Sequence, residues 1–276
     1  MDFELRRIIE TALREDIGTG DITTQATVDP QMACRAELVA KEDFVLAGID
    51  VAAAVFAQLD AHIAFERLTE DGQTVRRGEV LAWLKGSAQA LLQGERVALN
   101  LLQRMSGIAT QTARFVIEVQ GTAATIVDTR KTMPGLRSLD KYSVRVGGGT
   151  NHRSALYDGV LIKENHIVAA GGITTAIERA RRRAPHTLKI EVETTNLDEV
   201  AEAIAAGADI ILLDNMTLDQ LREAVTLIGG RARAEASGGV SLETVREIAE
   251  TGVDLISVGA LTHSSRAVDI SLLFQP

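Results

Sequence analysis

Hydrophobic and polar positions change rhythm twice along this chain. Residues 3–14 follow a helical period, whereas residues 33–40, 62–68 and 80–85 alternate as half-buried strands do, punctuated by Gly48, Gly72 and Gly78. That stretch predicts a small α+β domain. Residues 88–119, AQALLQGERVALNLLQRMSGIATQTARFVIEV, carry a sustained apolar period and predict two helices broken near Gly107. Gln93, Arg96, Asn100 and Gln103 recur opposite Leu92, Leu99 and Leu102, so Arg96 is expected to face away from the core of its own subunit.

From residue 124 short β-branched runs alternate with amphipathic helices. The predicted strands are 124–127, 159–162, 187–192, 209–213, 232–236 and 254–258, and the predicted helices 171–184, 197–206, 217–228 and 241–250, with Gly207 and Gly252 as stop signals. Repeated βα units imply a parallel sheet, open or rolled into a barrel. Six strands fall short of the eight that a closed barrel needs.

Composition narrows the function classes. The chain has 276 residues, 46% apolar and 24% charged, enough for one large α/β domain or two smaller ones. No run approaches the roughly 18 apolar residues of a membrane span. The opening MDFELRRIIE lacks the apolar centre of a secretory signal, and Cys34 alone cannot form an internal disulfide, so a cytoplasmic setting is expected. A net charge of -9 with 3% aromatic residues weighs against nucleic acid as a partner. The basic run Arg179 and Arg181 to Arg183, just before Pro185, reads as a solvated helix end. Dinucleotide, Walker, HExxH and EF-hand motifs are absent, and the consecutive Gly147, Gly148 and Gly149 lack the spacing of a dinucleotide loop.

Against that acidic background, residues 128–153, DTRKTMPGLRSLDKYSVRVGGGTNHR, gather Arg130, Lys131, Arg137, Lys141, Arg145 and Arg153. Polar groups also follow every predicted strand: Asp128 and Arg130, Lys163 and Glu164, Glu193, Asp214 and Asn215, Ser237-Gly238-Gly239, and Gly259. In a barrel these ends share one rim, where such folds place their chemistry. The Ser237-Gly238-Gly239 turn and VGALTHS (258–264) lead toward helix starts and suit phosphate, although a plain left-handed turn reads the same way. Glu193 and Asp214 have the donor type for Mg²⁺, or for helix caps and ion pairs. Glu191 points the same way as Glu193 by strand alternation and is a second ligand or a partner for a cation. Lys163, at the end of an apolar strand, is expected to be paired or reactive. His152 and Arg153 follow the glycines, whose freedom lets both turn inward; a lone histidine is more often structural. Together the cations predict a ligand with several negative charges.

The stretches EDIGTGDITT (15–24), GERVALNLLQRMSGIAT (94–110), DTRKT through NHR, LYDGVLIKENHI (156–167), IEVET (190–194), ILLDNMT (211–217), EASGGV (235–240) and VGALTHS closely resemble the quinolinate phosphoribosyltransferase family, in order and over nearly the whole chain. The resemblance implies conversion of quinolinate and 5-phosphoribosyl-1-pyrophosphate to nicotinate mononucleotide, CO2 and pyrophosphate, with Mg²⁺, for NAD synthesis. It also implies an incomplete parallel α/β barrel of about six to seven strands (109–265) and a smaller N-terminal α+β sandwich (1–108) joined by 266–276. Homodimers or larger homo-oligomers with shared sites are expected. By motif, Arg130, His152, Arg153 and Lys163, with Arg96 from the partner, would bind quinolinate. Lys131, Asn215, Ser237, Gly238, Gly239, Gly259 and His263 would hold the phosphoribosyl and phosphate groups. Glu193 and Asp214 would bind Mg²⁺ partly through water and, with Lys131, serve catalysis. Three alternatives stand beside this: a sister family of molybdenum-transport operons acting on another acceptor, a Schiff-base aldolase using Lys163, and a phosphate-ligand sensor without turnover.

Overall fold

The opening helical period folds as α1 (Phe3–Ile17), which buries Ile8, Ile9 and Leu13. The computed structural model describes residues 3–275. The chain divides into two units: one holds residues through Ala113, Met133–Gly148 and the residues from Ser264 onward, the other Arg114–Thr132 and Gly149–His263.

In the first unit α2 (Ile22–Thr27) is capped by Asp21 and leads to β1 (Ala33–Ala40) and β2 (Phe44–Val45). There follow α3 (Ile49–Leu59), β3 (Ala64–Arg67), β4 (Thr74–Val75) and β5 (Val80–Ser87). A four-stranded sheet places β1 between β5 and the strand Ile270–Gln275, with β3 outside β5; all pairs are antiparallel. One face buries Ala36, Leu38, Ala82 and Leu84 in a core shared with Val55 and Phe56, while Trp83 and Leu273 stand on the exposed face. Asp71 knits three elements: its carboxylate accepts the Gly48 and Ile49 amides and the Tyr142 hydroxyl at 2.7 Å.

The long apolar period is one helix, α4 (Ala88–Glu118), instead of two. Gly107 does not break it. A Cβ there would overlap the carbonyl oxygen of Arg266, so glycine marks a close backbone approach inside a continuous helix. Arg96 and Asn100 on this helix are exposed while Leu99 and Leu102 are buried, as their spacing requires. A further helix unforeseen in the hydrophobic pattern, α5 (Arg137–Val146), carries Arg137, Lys141 and Arg145. Three cations of the basic stretch therefore belong to the first unit, while Arg130, Lys131 and Arg153 belong to the second.

The second unit is a six-stranded parallel sheet. Its strands are β6 (Thr125–Val127), β7 (Val160–Ile162), β8 (Ile190–Thr194), β9 (Ile210–Asp214), β10 (Arg233–Ser237) and β11 (Leu255–Ser257), in the order β6-β11-β10-β9-β8-β7. Between them run α6 (Glu164–Ala170), α7 (Ile173–Arg183), α8 (Leu197–Ala205), α9 (Leu218–Ile228), α10 (Val245–Ala249) and α11 (Ala260–His263). The sheet is curled on itself. A cavity of about 340 Å³ is lined at once by Val127 of the first strand, Val160 of the second, and Glu191, Ile210, Glu235 and Leu255 of the rest. This is an incomplete barrel: β6 and β7 do not pair, and Thr150 alone bridges to Val127 on the open edge. The helix expected over 171–184 is α7, and a short helix not foreseen in the pattern, α6, precedes it; Gly171 and Gly172, at φ of 89° and 134°, end α6 and reset the chain for α7. The arginines ending α7 are exposed, and Arg181 pairs with Asp209 at 2.9 Å.

Candidate active site

Alternation in a strand sends every second side chain to one face. In β8, Ile190, Val192 and Thr194 are buried on one side, so Glu191 and Glu193 share the other. In β10, Glu235 and Ser237 do the same. In-register pairing then sets the carboxyl ends level: Ser237 pairs with Asp214, Ser257 with Val127 and Ile162 with Val192. Every residue expected at the site except Arg96 lies in this unit; Lys163, Glu193, Asp214, Asn215 and Ser237 stand at or just beyond those ends, whereas Arg153 precedes β7 and lines the interior cavity beside Lys189, Ile210, Arg233 and Leu255 at the strand starts.

The turn after the triple glycine is built on Asp128. This carboxylate is fully buried and accepts the Asn151 side-chain amide at 2.7 Å and the His152 backbone amide at 2.8 Å. Main-chain bonds from Thr150 to Ile126 and from Asp128 to Thr150 lay the segment along β6. The His152 ring points inward. Its Nδ1 accepts the Arg153 amide at 2.7 Å, which leaves the proton on Nε2, 2.9 Å from Glu191 Oε2 and 3.8 Å from Glu235 Oε1. Donor atoms of His152, Glu191 and Glu235 all lie within 4.8 Å of one another. Burial, and then the nearby charge of Glu191, pushes the Glu235 carboxyl up to about 7, against the pull of His152. Arg153 donates to the Gly159 carbonyl at 3.1 Å, while its Nε is buried without a partner. Burial and the neighbouring Arg130 hold its guanidinium below the usual range, opposed by Glu191 and Asp158. Two arginines this close favour an anion between them.

Lys163 caps α6 and reaches Glu193, Nζ to Oε2, at 2.5 Å. The lysine is half-exposed and the carboxylate mostly buried, so the pair opens toward solvent. Asp214 accepts the Asn215 side-chain amide at 2.7 Å. Glu193 and Asp214 each keep a second oxygen that no other group binds among the described residues.

Asn215 adopts φ 55°, its amide donating to the Ser237 carbonyl at 2.9 Å. Gly238, at φ 100°, passes so close that any Cβ would strike the Asn215 side chain. This turn does not lead into a helix as its small residues suggested; α10 starts only at Val245. Gly259 does precede a helix, the single turn α11. A Cβ at Gly259 would come 3.0 Å from Lys131 Cδ and 3.2 Å from His263 Nε2, so the bare backbone lets both side chains lie over it. Thr262 fastens this group by donating to the Lys131 carbonyl at 2.9 Å.

One residue escaped the sequence reading, and a second was named there without its role. Glu235 sits two positions before Ser237, and that alternation was its only signal. Asp128 was visible as a strand end, but its work as the anchor of residues 151–152 depends on a turn the pattern does not encode.

Comparison with known proteins decides the family. Residues 21–106 match the family model described as quinolinate phosphoribosyl transferase, N-terminal domain, and residues 108–273 match the corresponding C-terminal domain. The chain belongs to the quinolinate phosphoribosyltransferase family. Family relatives include the probable nicotinate-nucleotide pyrophosphorylase [carboxylating] of Bacillus subtilis, 47% identical over 98% of this chain and 93% of that protein. The chloroplastic nicotinate-nucleotide pyrophosphorylase [carboxylating] of Arabidopsis thaliana is 43% identical over 98% of this chain and 82% of its own length. The crystal structure of NadC from Streptococcus pyogenes superposes with a TM-score of 0.95 at 42% identity, covering 100% of this chain and 99% of that one. Agreement of this kind extends the family's two-domain α/β architecture to the whole chain, the six-stranded parallel sheet included.

Proposed function

We propose that this chain is a quinolinate phosphoribosyltransferase, transferring the phosphoribosyl group of 5-phosphoribosyl-1-pyrophosphate to quinolinate with loss of CO2 to give nicotinate mononucleotide in NAD biosynthesis. One observation carries the reading at the level of chemistry: Lys163 reaches Glu193 at the ends of neighbouring strands, the next strand over ends in Asp214, and Arg130 stands close enough to Arg153 for their charges to repel. A dianionic pyridine and a pyrophosphate-bearing sugar need both sets of charge. Arg130, Arg153 and Lys163 bind the two ring carboxylates, with Arg96 supplied by a second copy of the chain in a homodimer or larger assembly. Lys131, His263, Gly259, Asn215 and the Ser237-Gly238-Gly239 turn hold the phosphate and ribose groups, where glycine brings backbone amides close to oxygen.

The ring nitrogen attacks the anomeric carbon as the bond to pyrophosphate breaks, its electron pair leaving with the pyrophosphate. Positive charge builds on the ribose, and Glu193 and Asp214 favour it. Lys131 meets the charge on the departing group. The uncommitted oxygens of Glu193 and Asp214 are the donors a hard divalent ion takes, so these residues would hold Mg²⁺, partly through water; when bound, the ion supplies further charge to the leaving pyrophosphate. The ring-to-carboxylate bond then breaks, the electrons remain on the ring carbon, and a proton replaces CO2. No helix among the described residues is long and apolar enough to cross a membrane, and the single Cys34 is free, which supports work in the cytoplasm.

The test is quinolinate-dependent release of pyrophosphate and CO2 with Mg²⁺ present. Stoichiometric release with nicotinate mononucleotide is expected. A folded sample that binds the sugar donor but leaves quinolinate unconverted would overturn the assignment.

A further inference from the structure

Lys131 lies in irregular, exposed chain beyond the end of β6, where no strand ladder fixes its main chain. Among the described residues, side-chain hydroxyls take both of its main-chain groups: the amide donates to Thr129 Oγ1 at 3.0 Å, and the carbonyl accepts from Thr262 Oγ1 at 2.9 Å. Thr129 is two residues away and travels with the segment, so its bond shapes the chain without fixing it. Thr262 belongs to another strand end and is almost completely buried.

We infer that Thr262 is a positioning residue for Lys131: its hydroxyl moors the lysine to the barrel so that the ammonium meets the charge on the departing pyrophosphate. The inference rests on reading Lys131 as the group that meets this charge. Three observations support it. The hydroxyl has one proton to give, and the Lys131 carbonyl at 2.9 Å is a nearer acceptor than the Gly259 carbonyl at 3.4 Å. The turn α11 is closed by the Thr262 and His263 amides on the Gly259 carbonyl, at 3.2 and 3.3 Å, so the residue under the lysine stem and the residue on its carbonyl are parts of one turn. That turn is seated beside β6, because Ser257 of β11 pairs with Val127 and the Val258 amide donates to the Val127 carbonyl at 2.9 Å. Lys131 is thus gripped at its carbonyl and along its stem by one platform. Without the hydroxyl the stem contact remains, and the ammonium can drift. Such drift costs most in the transition state, where the leaving group gains its charge.

The experiment measures initial rates of the full-length chain with quinolinate, 5-phosphoribosyl-1-pyrophosphate and Mg²⁺, with thermal melts as the folding control. Thr262→Val, which keeps the shape and removes the hydroxyl, should lower kcat about tenfold or more while the quinolinate KM stays within about twofold. Thr262→Ser, which keeps the hydroxyl and drops the methyl, should recover most of that loss; a variant equally slow would mean that packing matters and overturn the inference. The double variant Thr262→Val/Lys131→Ala should be no slower than Lys131→Ala alone, because the hydroxyl acts through the lysine. Additive losses would overturn the inference, as would a folded Thr262→Val chain that turns over like the wild type. Should Thr262→Val fail to fold, Thr262→Ala carries the test: it adds no bulk, the same loss is expected, and wild-type turnover overturns the mooring. Lys131→Ala separates the two levels. If it turns over normally, the underlying reading of Lys131 fails; if it alone is slow while the Thr262 variants are not, only the mooring fails.

Discussion

The side-chain oxygen of Asn215 occupies the space a Cβ on Gly238 would need, and each residue holds a positive φ, 55° and 100°. Two adjacent strand ends, those proposed to hold the phosphate groups, are therefore interlocked. Gly238→Ala should cost about 1–3 kcal/mol of stability through strain and overlap, and raise the KM for the sugar donor more than that for quinolinate. Thermal melts and initial-rate kinetics check both parts.

Lys163 and Glu193 hold each other across β7 and β8. Since the lysine is half-exposed, their pairing contributes little to stability. Its removal should be felt in function: Lys163→Ala should raise the quinolinate KM about tenfold or more with a nearly unchanged melting temperature. A variant with an unaltered KM would take Lys163 out of the pocket.

Glu235 gives the protein a pH signature. Its carboxyl is pushed from 4.5 up to about 7 by burial and by Glu191. Between those values the folded chain keeps a proton that the unfolded chain releases, so stability from this group is complete below the lower value and declines as pH rises to the upper. Denaturant unfolding from pH 4.5 to 8 should show that fall, and Glu235→Gln should flatten it.

Gly107→Ala sets two effects against each other. Alanine gains about 1 kcal/mol in helix propensity, but its methyl meets the Arg266 backbone, which cannot step aside as a flexible side chain can. The overlap should win, with a net loss of about 1–3 kcal/mol. A stabilised variant would show that the approach of the two backbones yields easily.

Sharing of sites between copies is testable by complementation. Arg96→Ala and Arg153→Ala chains, each inactive alone, should regain part of the activity when mixed. Mixtures that stay inactive after demonstrated subunit exchange would place Arg96 outside the neighbour's site.

Most of the six barrel strands were legible as short apolar runs closed by a polar residue, and β8 and β10 as alternating ones, signals confined to a few neighbouring positions. Lys163, Glu193 and Asp214 could be placed at strand ends for the same reason. Helix α5 was not legible: SLDKYSVRV offers few apolar positions, and its buried Asp140 and Lys141 mimic a solvated loop, with Asp140 neutralised by Arg104 at 2.8 Å from a distant segment. Gly107 misled for a related reason, since the backbone that demands glycine lies far along the chain. The group of His152, Glu191 and Glu235 joins three separate segments, and local pattern carries no information about such a meeting.

The antiparallel pairing of Ile270–Gln275 with Ala33–Ala40 has a consequence for how the protein is made. During synthesis the first sheet waits, one edge bare, until the ribosome has produced the whole βα series that comes before its missing ribbon. The nascent chain must therefore shelter an unfinished edge while the later unit assembles, and the earliest residues to emerge are among the last to be sealed.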